Sequence, residues 1–156
     1  MVNILLVLLG SNIPRIINDR LEITLKFIEA LGLNIIINDS NYNITWFLSG
    51  GKFDESKLSE AEIMKSHIEH YISNENYINF TNHNFVLDTK STNIAKKFTN
   101  ITNYINKIDN TPDKFDNIYI TTSNFNYKNA STMLYLTDKK IFDRTKWILG
   151  NVDLEN

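Results

Sequence analysis

Apolar runs alternate with amphipathic stretches along this chain, and the two patterns keep different periods. Val2-Asn3-Ile4-Leu5-Leu6-Val7-Leu8-Leu9 is almost continuously apolar. That is the signature of a strand buried on both faces of a parallel sheet, and it predicts a first strand from Asn3 to Leu9. Ile17, Leu21, Leu25, Ile28 and Leu31 then recur at helical spacing and predict a helix from Arg15 to Leu31. Pro14 stands near its first turn, where a missing N–H is harmless, and Gly32 is a natural end. Leu33 to Asn43 fits neither period cleanly. Ile35-Ile36-Ile37 suggests a short strand and Asp39-Ser40-Asn41 a turn, so this piece is read as an insertion.

The alternation then resumes. Ile44 to Leu48 predicts a second strand. Ser59 with Glu62 three residues on forms a capping box for a helix whose inner face is expected to hold Ile63, His67, Ile68, Tyr71 and Ile72. Phe85-Val86-Leu87 predicts a third strand ending at Asp88. Ser91 is expected to cap a helix with the stripe Ile94, Phe98, Ile101, Ile105 and Ile108. Ile118-Tyr119-Ile120 predicts a fourth strand, Tyr127 to Leu136 another helix, and Lys146 to Gly150 a last strand at the sheet edge. Strands alternating with helices define an α/β fold with a mainly parallel sheet. A length of 156 residues suits a single domain with a real core, here 1–156.

Composition narrows the function. Net charge is −2 and no basic block occurs, which argues against nucleic acid and anionic membrane as partners. The apolar start lacks a basic flank and is too short to span a bilayer, which takes roughly 20 apolar residues. There is no cysteine, hence no disulfide framework or thiolate chemistry. This suits a reducing compartment, and a cytoplasmic location is expected. The Asn and Ile excess suits an AT-rich bacterial or large DNA-virus genome. His67 and His70 share a helix face, but two histidines without a recurring acidic partner are a weak metal signal. The Gly-x-Gly-x-x-Gly and P-loop lysine patterns are absent.

In an open parallel sheet, ligands bind beyond the carboxyl ends of the strands. The four predicted core strands end in Gly10-Ser11-Asn12, Ser49-Gly50-Gly51, Asp88 to Ser91, and Thr122-Ser123-Asn124. Gly50 and Gly51 would let the chain turn tightly and let a ligand approach, their N–H groups facing an anion. Ser11, Ser49, Ser91, Thr122 and Ser123 would add hydroxyls. Glu60 and Asp88 would supply carboxylates to a ribose, an amine or a metal. Each has a structural alternative: a turn, a helix cap, a loop held by its own hydrogen bonds. Together they favour one shared site.

These motifs resemble a known family. Leu8-Leu9-Gly10, Arg20-Leu21, Ser49-Gly50-Gly51 and Ser59-Glu60-Ala61-Glu62-Ile63-Met64 are similar, in order and spacing, to the YdcF/SanA/ElyC-like family, the domain of unknown function 218. Asp88, Ser91 and Asn93 fit that family's acid and Ser-x-Asn pattern, with Ile94 in place of Thr and Lys97 in place of Asn. Thr122 and Ser123 fit its Thr-Ser strand end, while Asn126 and Asn129 stand where the family has His and Arg. The resemblance covers about the first two thirds of the chain and thins afterwards. It implies a Rossmann-like three-layer sandwich with a pocket lined by these motifs. It also implies a soluble, trimmed version of a family often anchored in the membrane. S-adenosylmethionine binding has been proposed within the family.

The resulting expectation is a small-molecule-binding domain with reduced or absent catalysis, its ligand nucleotide-like or phosphate-bearing. Gly10, Ser11, Asn12, Ser49, Gly50, Gly51, Ser91, Asn93, Thr122, Ser123 and Asn126 would line the site. S-adenosylmethionine and a divalent cation are the cofactor candidates. The alternatives are an active transferase or hydrolase using Glu60 or Asp88 as base, and an interaction module without a ligand.

Overall fold

The computed structural model describes residues 2–11, 13–38, 42–52, 57–74 and 82–151. Five strands form one sheet: β1 (Val2–Leu9), β2 (Tyr42–Ser49), β3 (Asn82–Asp88), β4 (Asn117–Ser123) and β5 (Thr145–Gly150). Their order is β3-β2-β1-β4-β5, and every adjacent pair is parallel. The helices are α1 (Pro14–Asn38), α2 (Glu60–Asn74), α3 (Ile94–Asp109), α4 (Tyr127–Thr137) and α5 (Lys139–Arg144), with a short 3₁₀ turn at Asn124–Asn126.

The unbroken apolar run of β1 is explained by its central place. Successive side chains of a strand point to opposite faces. Ile4, Leu6 and Leu8 therefore join one core with Ile17, Leu21 and Ile28 of α1 and Ala61, Met64 and Ile68 of α2. Leu5, Val7 and Leu9 join the other, with Phe98, Ile101 and Ile105 of α3, Ala130 and Leu134 of α4, and Ile141 of α5. Both faces are thus covered, and the molecule is a Rossmann-like three-layer α/β sandwich. Among the described residues no helix is long and apolar enough to cross a membrane.

Three sequence expectations need correction. Residues 33–38 continue α1 instead of forming an insertion with its own strand. Ile35 keeps the helical spacing set by Ile28 and Leu31. The interior Gly32 costs only about 1 kcal/mol, too little to stop a helix that packs on a sheet. The expected turn at 39–41 lies outside the described residues. The inner face of α2 is turned from the expected one: Ala61, Met64 and Ile68 are buried, Ile63 is 37% exposed and His67 is exposed. Small Ala61 is fully buried in the core against the sheet, and the sequence stripe gave it no weight. Finally, Asn93, not Ser91, caps α3, its side chain accepting from the Lys96 N–H at 2.9 Å.

Sheet topology places the switch point. From β1 the chain steps outward through β2 to β3, then crosses to β4 on the other side of β1 and on to β5. The crevice of such a sheet lies where these two directions part, beyond Leu9 and Ser123.

Candidate functional site

The β1 end is fixed by its neighbours. The Gly10 N–H donates to the Ser49 carbonyl at 2.7 Å. The Gly10 carbonyl accepts from Arg20 Nη1 at 3.0 Å and Lys97 Nζ at 3.4 Å. Arg20 also donates from Nη1 to the Leu9 carbonyl at 2.5 Å and from Nε to Ser123 Oγ at 3.0 Å. One guanidinium on α1 thereby ties the ends of β1 and β4 together. Arg20 is 3% exposed and Lys97 8% exposed, unusual burial for cations. Burial lowers the Arg20 pKa to about 10, against the pull of Glu60 and Asp19. Burial likewise lowers that of Lys97, with Glu60 opposing.

Glu60 is the third buried charge, 6% exposed. Neither of its carboxylate oxygens makes a well-aligned hydrogen bond among the described residues, the nearest donor being the Ser11 N–H. Burial raises its pKa, and the charges of Lys97 and Arg20, with the Ser11 N–H, hold back the rise. A buried carboxylate so poorly supplied with donors is costly, and the fold tolerates it beside two cations.

Of the two glycines after β2, Gly50 makes room for the Glu60 side chain and Gly51 for the loop at Thr92. A β-carbon at Gly50 would lie 2.6 Å from Glu60 Cβ, and one at Gly10 would lie 3.0 Å from Glu60 Oε1. A β-carbon at Gly51 would lie 2.9 Å from Thr92 Cγ2. Neither Gly50 nor Gly51 adopts a left-handed φ, so close approach, not turn geometry, requires them. Their N–H groups are already engaged: Gly50 donates to the Asp88 carbonyl at 2.9 Å and Gly51 to the Ser91 carbonyl at 3.1 Å. The expected backbone cradle for an anion is therefore not formed by these two groups. The Glu60 and Ala61 N–H groups return to the Gly51 and Gly50 carbonyls, locking the start of α2 onto the same turn.

Asp88 organises the loop after β3. Its Oδ1 accepts from the Lys90 and Ser91 N–H groups at 3.3 and 3.2 Å. Its Oδ2 accepts from Ser49 Oγ at 3.1 Å and Asn100 Nδ2 at 3.2 Å. Burial alone would raise its pKa, but the hydrogen bonds from Ser91, Asn100 and the Lys90 backbone outweigh it and the value is lowered. A carboxylate with four donors and a lowered pKa is a poor proton acceptor. Ser91 in turn accepts from Asn100 at 2.9 Å.

Two hollows open at this edge. The first, about 550 Å³, lies between β1, α3 and α4, and its lining includes Gly10, Lys97, Asn126, Lys128 and Asn129. The second, about 470 Å³, lies between the starts of α1 and α2, with Ser11, Gly51 and Glu60 beside Ile17, Leu58 and Ile63. The single shared hollow expected from the sequence is thus divided at the Gly10–Ser11 turn. Ser49, Gly50, Asp88, Ser91, Thr122 and Ser123 line neither. They form the framework behind, with Thr122 Oγ1 accepting from Asn126 Nδ2 at 3.4 Å. Asn93 is exposed at its cap position, and Asn12 lies outside the described residues. Among the described residues, no group of three histidines or acids is placed to hold a metal.

Sequence reasoning did not nominate Arg20, Lys97 or Lys128 for the site. The signal for the first two was present: Arg20 and Lys97 fall within the apolar stripes of α1 and α3, where a cation must find a buried partner. Lys128, exposed on α4, carries no such mark. Compared with family models, curated proteins and solved structures, the chain has no match.

Proposed function

We propose that this chain is a small-molecule-binding α/β domain of the YdcF/SanA/ElyC-like type. In this reading its ligand carries a phosphate that rests in the first hollow, and catalysis is reduced or absent. One observation carries it: buried Lys97 makes no ion pair among the described residues and opens on a hollow lined by two lysines and no acid. An ammonium has three donors, and among the described residues Lys97 places only a long bond, 3.4 Å to the Gly10 carbonyl. The residues behind the resemblance support the reading, because Gly10, Arg20, Ser49, Glu60, Asp88 and Ser123 fold into one connected network. Reduced catalysis is supported by Asp88, whose oxygens are occupied, and by Asn126 and Asn129, whose amides do not titrate near neutral pH and so cannot serve as general acid or base.

The test is a thermal-shift panel of inorganic phosphate, nucleotides, sugar nucleotides and S-adenosylmethionine, with and without Mg²⁺. A ligand at 100 times its dissociation constant adds about 2.7 kcal/mol of stability, a readable shift. No shift with any member would overturn the reading.

A second reading, an active transferase or hydrolase, is favoured by Glu60 alone. A carboxylate with a raised pKa and unpartnered oxygens suits a general base. Glu60→Gln separates the two: turnover of a bound phosphate ester would collapse with affinity kept, whereas a pure binder shows no turnover to lose.

A further inference from the structure

We infer that the first hollow takes a small phosphate monoester of an aliphatic alcohol, its phosphate at the start of α4 and its alkyl group along the second half of the same helix. This rests on the anion reading of the first hollow and concerns that hollow alone. Five residues of α4 line it: Lys128, Asn129, Thr132, Met133 and Leu136. Lys128, Thr132 and Leu136 recur at intervals of four, as do Asn129 and Met133, so two adjacent rows share one face of the helix. That face runs about 12 Å from Lys128 to Leu136, the rise of eight residues. Its chemistry changes along the way: an ammonium and an amide first, then a hydroxyl, then the apolar side chains of Met133 and Leu136.

The anion belongs at the first turn. A helix N-terminus favours negative charge, and the Asn126 cap makes no side-chain hydrogen bond to this one, its amide donating instead to Thr122 Oγ1. Lys97 is the independent mark. It is 8% exposed and lines the same hollow from α3, and among the described residues its ammonium places only the long bond to the Gly10 carbonyl. The alkyl group belongs at the other end. Leu136 is 72% exposed, and Met133 and Ile94, which also line the hollow, are only partly buried against the core. Covering them removes apolar surface from water. A sugar or nucleoside would gain less here. Among the described residues that line the hollow there is no carboxylate to accept from ring hydroxyls and no aromatic ring on which a base could stack.

The experiment is isothermal titration with inorganic phosphate, ribose 5-phosphate and hexyl phosphate. The proteins are the natural chain, Lys128→Glu and Leu136→Ser, both altered positions being exposed. Hexyl phosphate should bind about tenfold or more tighter than either other anion, the return on covering apolar surface. Leu136→Ser should lower that advantage by about threefold or more and leave the affinity for inorganic phosphate unchanged. Lys128→Glu should weaken all three anions. If phosphate binds but hexyl phosphate is no tighter than ribose 5-phosphate, the aliphatic ester is refuted and the anion site stands. The same holds if Leu136→Ser leaves the hexyl advantage intact, or weakens inorganic phosphate as much as the ester. If Lys128→Glu leaves hexyl phosphate unaffected, its phosphate does not rest at the start of α4 and the inference falls. If none of the three anions binds, the anion reading fails and takes this inference with it.

Discussion

At Gly50 a methyl group has nowhere to go. Its β-carbon would lie 2.6 Å from Glu60 Cβ, next to backbone rather than at the end of a flexible side chain, so the α2 start must move. Gly50→Ala is expected to cost about 1–3 kcal/mol by overpacking, read as a lower urea midpoint at unchanged slope. The glycine pair was visible in the sequence as a demand for close approach. What approaches was not, because Glu60 comes from beyond a loop and only the folded chain brings it there. Glu60 itself gives a pH prediction. Its folded pKa is raised above the ordinary 4.5 by burial, so the folded state holds its proton more tightly than the unfolded chain. The associated stability is fully present below pH 4.5 and is lost as pH rises through the folded value. Glu60→Gln should flatten that fall, measured as urea midpoints across the acidic range. An unchanged slope would show that the carboxylate is solvated after all.

The elements that read best from the sequence are those whose signals are local. The capping box at the start of α2 is one: Ser59 Oγ accepts from the Glu62 N–H at 3.1 Å, and the Glu62 carboxylate accepts from the Ser59 N–H at 3.1 Å. Ser59→Ala should cost about 1 kcal/mol. Because this cap also sets where Glu60 begins its helix, the variant should shift backbone amide resonances of Gly50 and Gly51 as well. The α1 and α3 stripes were legible for the same reason, and so was the β5 edge strand. The expected Ser91 cap failed because a nearer competitor, Asn93, lies immediately before Ile94, while Ser91 is drawn into the Asp88 loop by Asn100. Helix α5 was not foreseen. Its six residues are too few for a periodic stripe, and its start rests on the Asp138 carboxylate accepting from the Ile141 N–H at 3.1 Å.

At the scale of the whole molecule, the site is where the sheet changes direction, and something must hold its two halves together there. β1 pairs with β4 through Thr121 and no further, so beyond that point the Arg20 fork is the tie: two bonds to the β1 end and one to Ser123. Lysine would keep the charge but not the fork, since a single ammonium cannot match the planar donors of a guanidinium. Arg20→Lys is expected to destabilise by about 2–4 kcal/mol, the range for breaking charged, buried hydrogen bonds. Ser123→Ala removes one arm only and should cost less. If the tie spans the switch point, the two changes are not additive. A double-mutant cycle in urea should give a coupling of about 0.5–3 kcal/mol, whereas independent effects would mean that Ser123 is held by the strand alone. The same variants report on binding. Arg20 and Lys97 share the Gly10 carbonyl, so releasing Arg20 lets Lys97 take that acceptor fully and turn from the first hollow. Arg20→Lys should therefore weaken phosphate binding without touching any lining residue, and Ser123→Ala, which leaves the Gly10 bonds in place, should not.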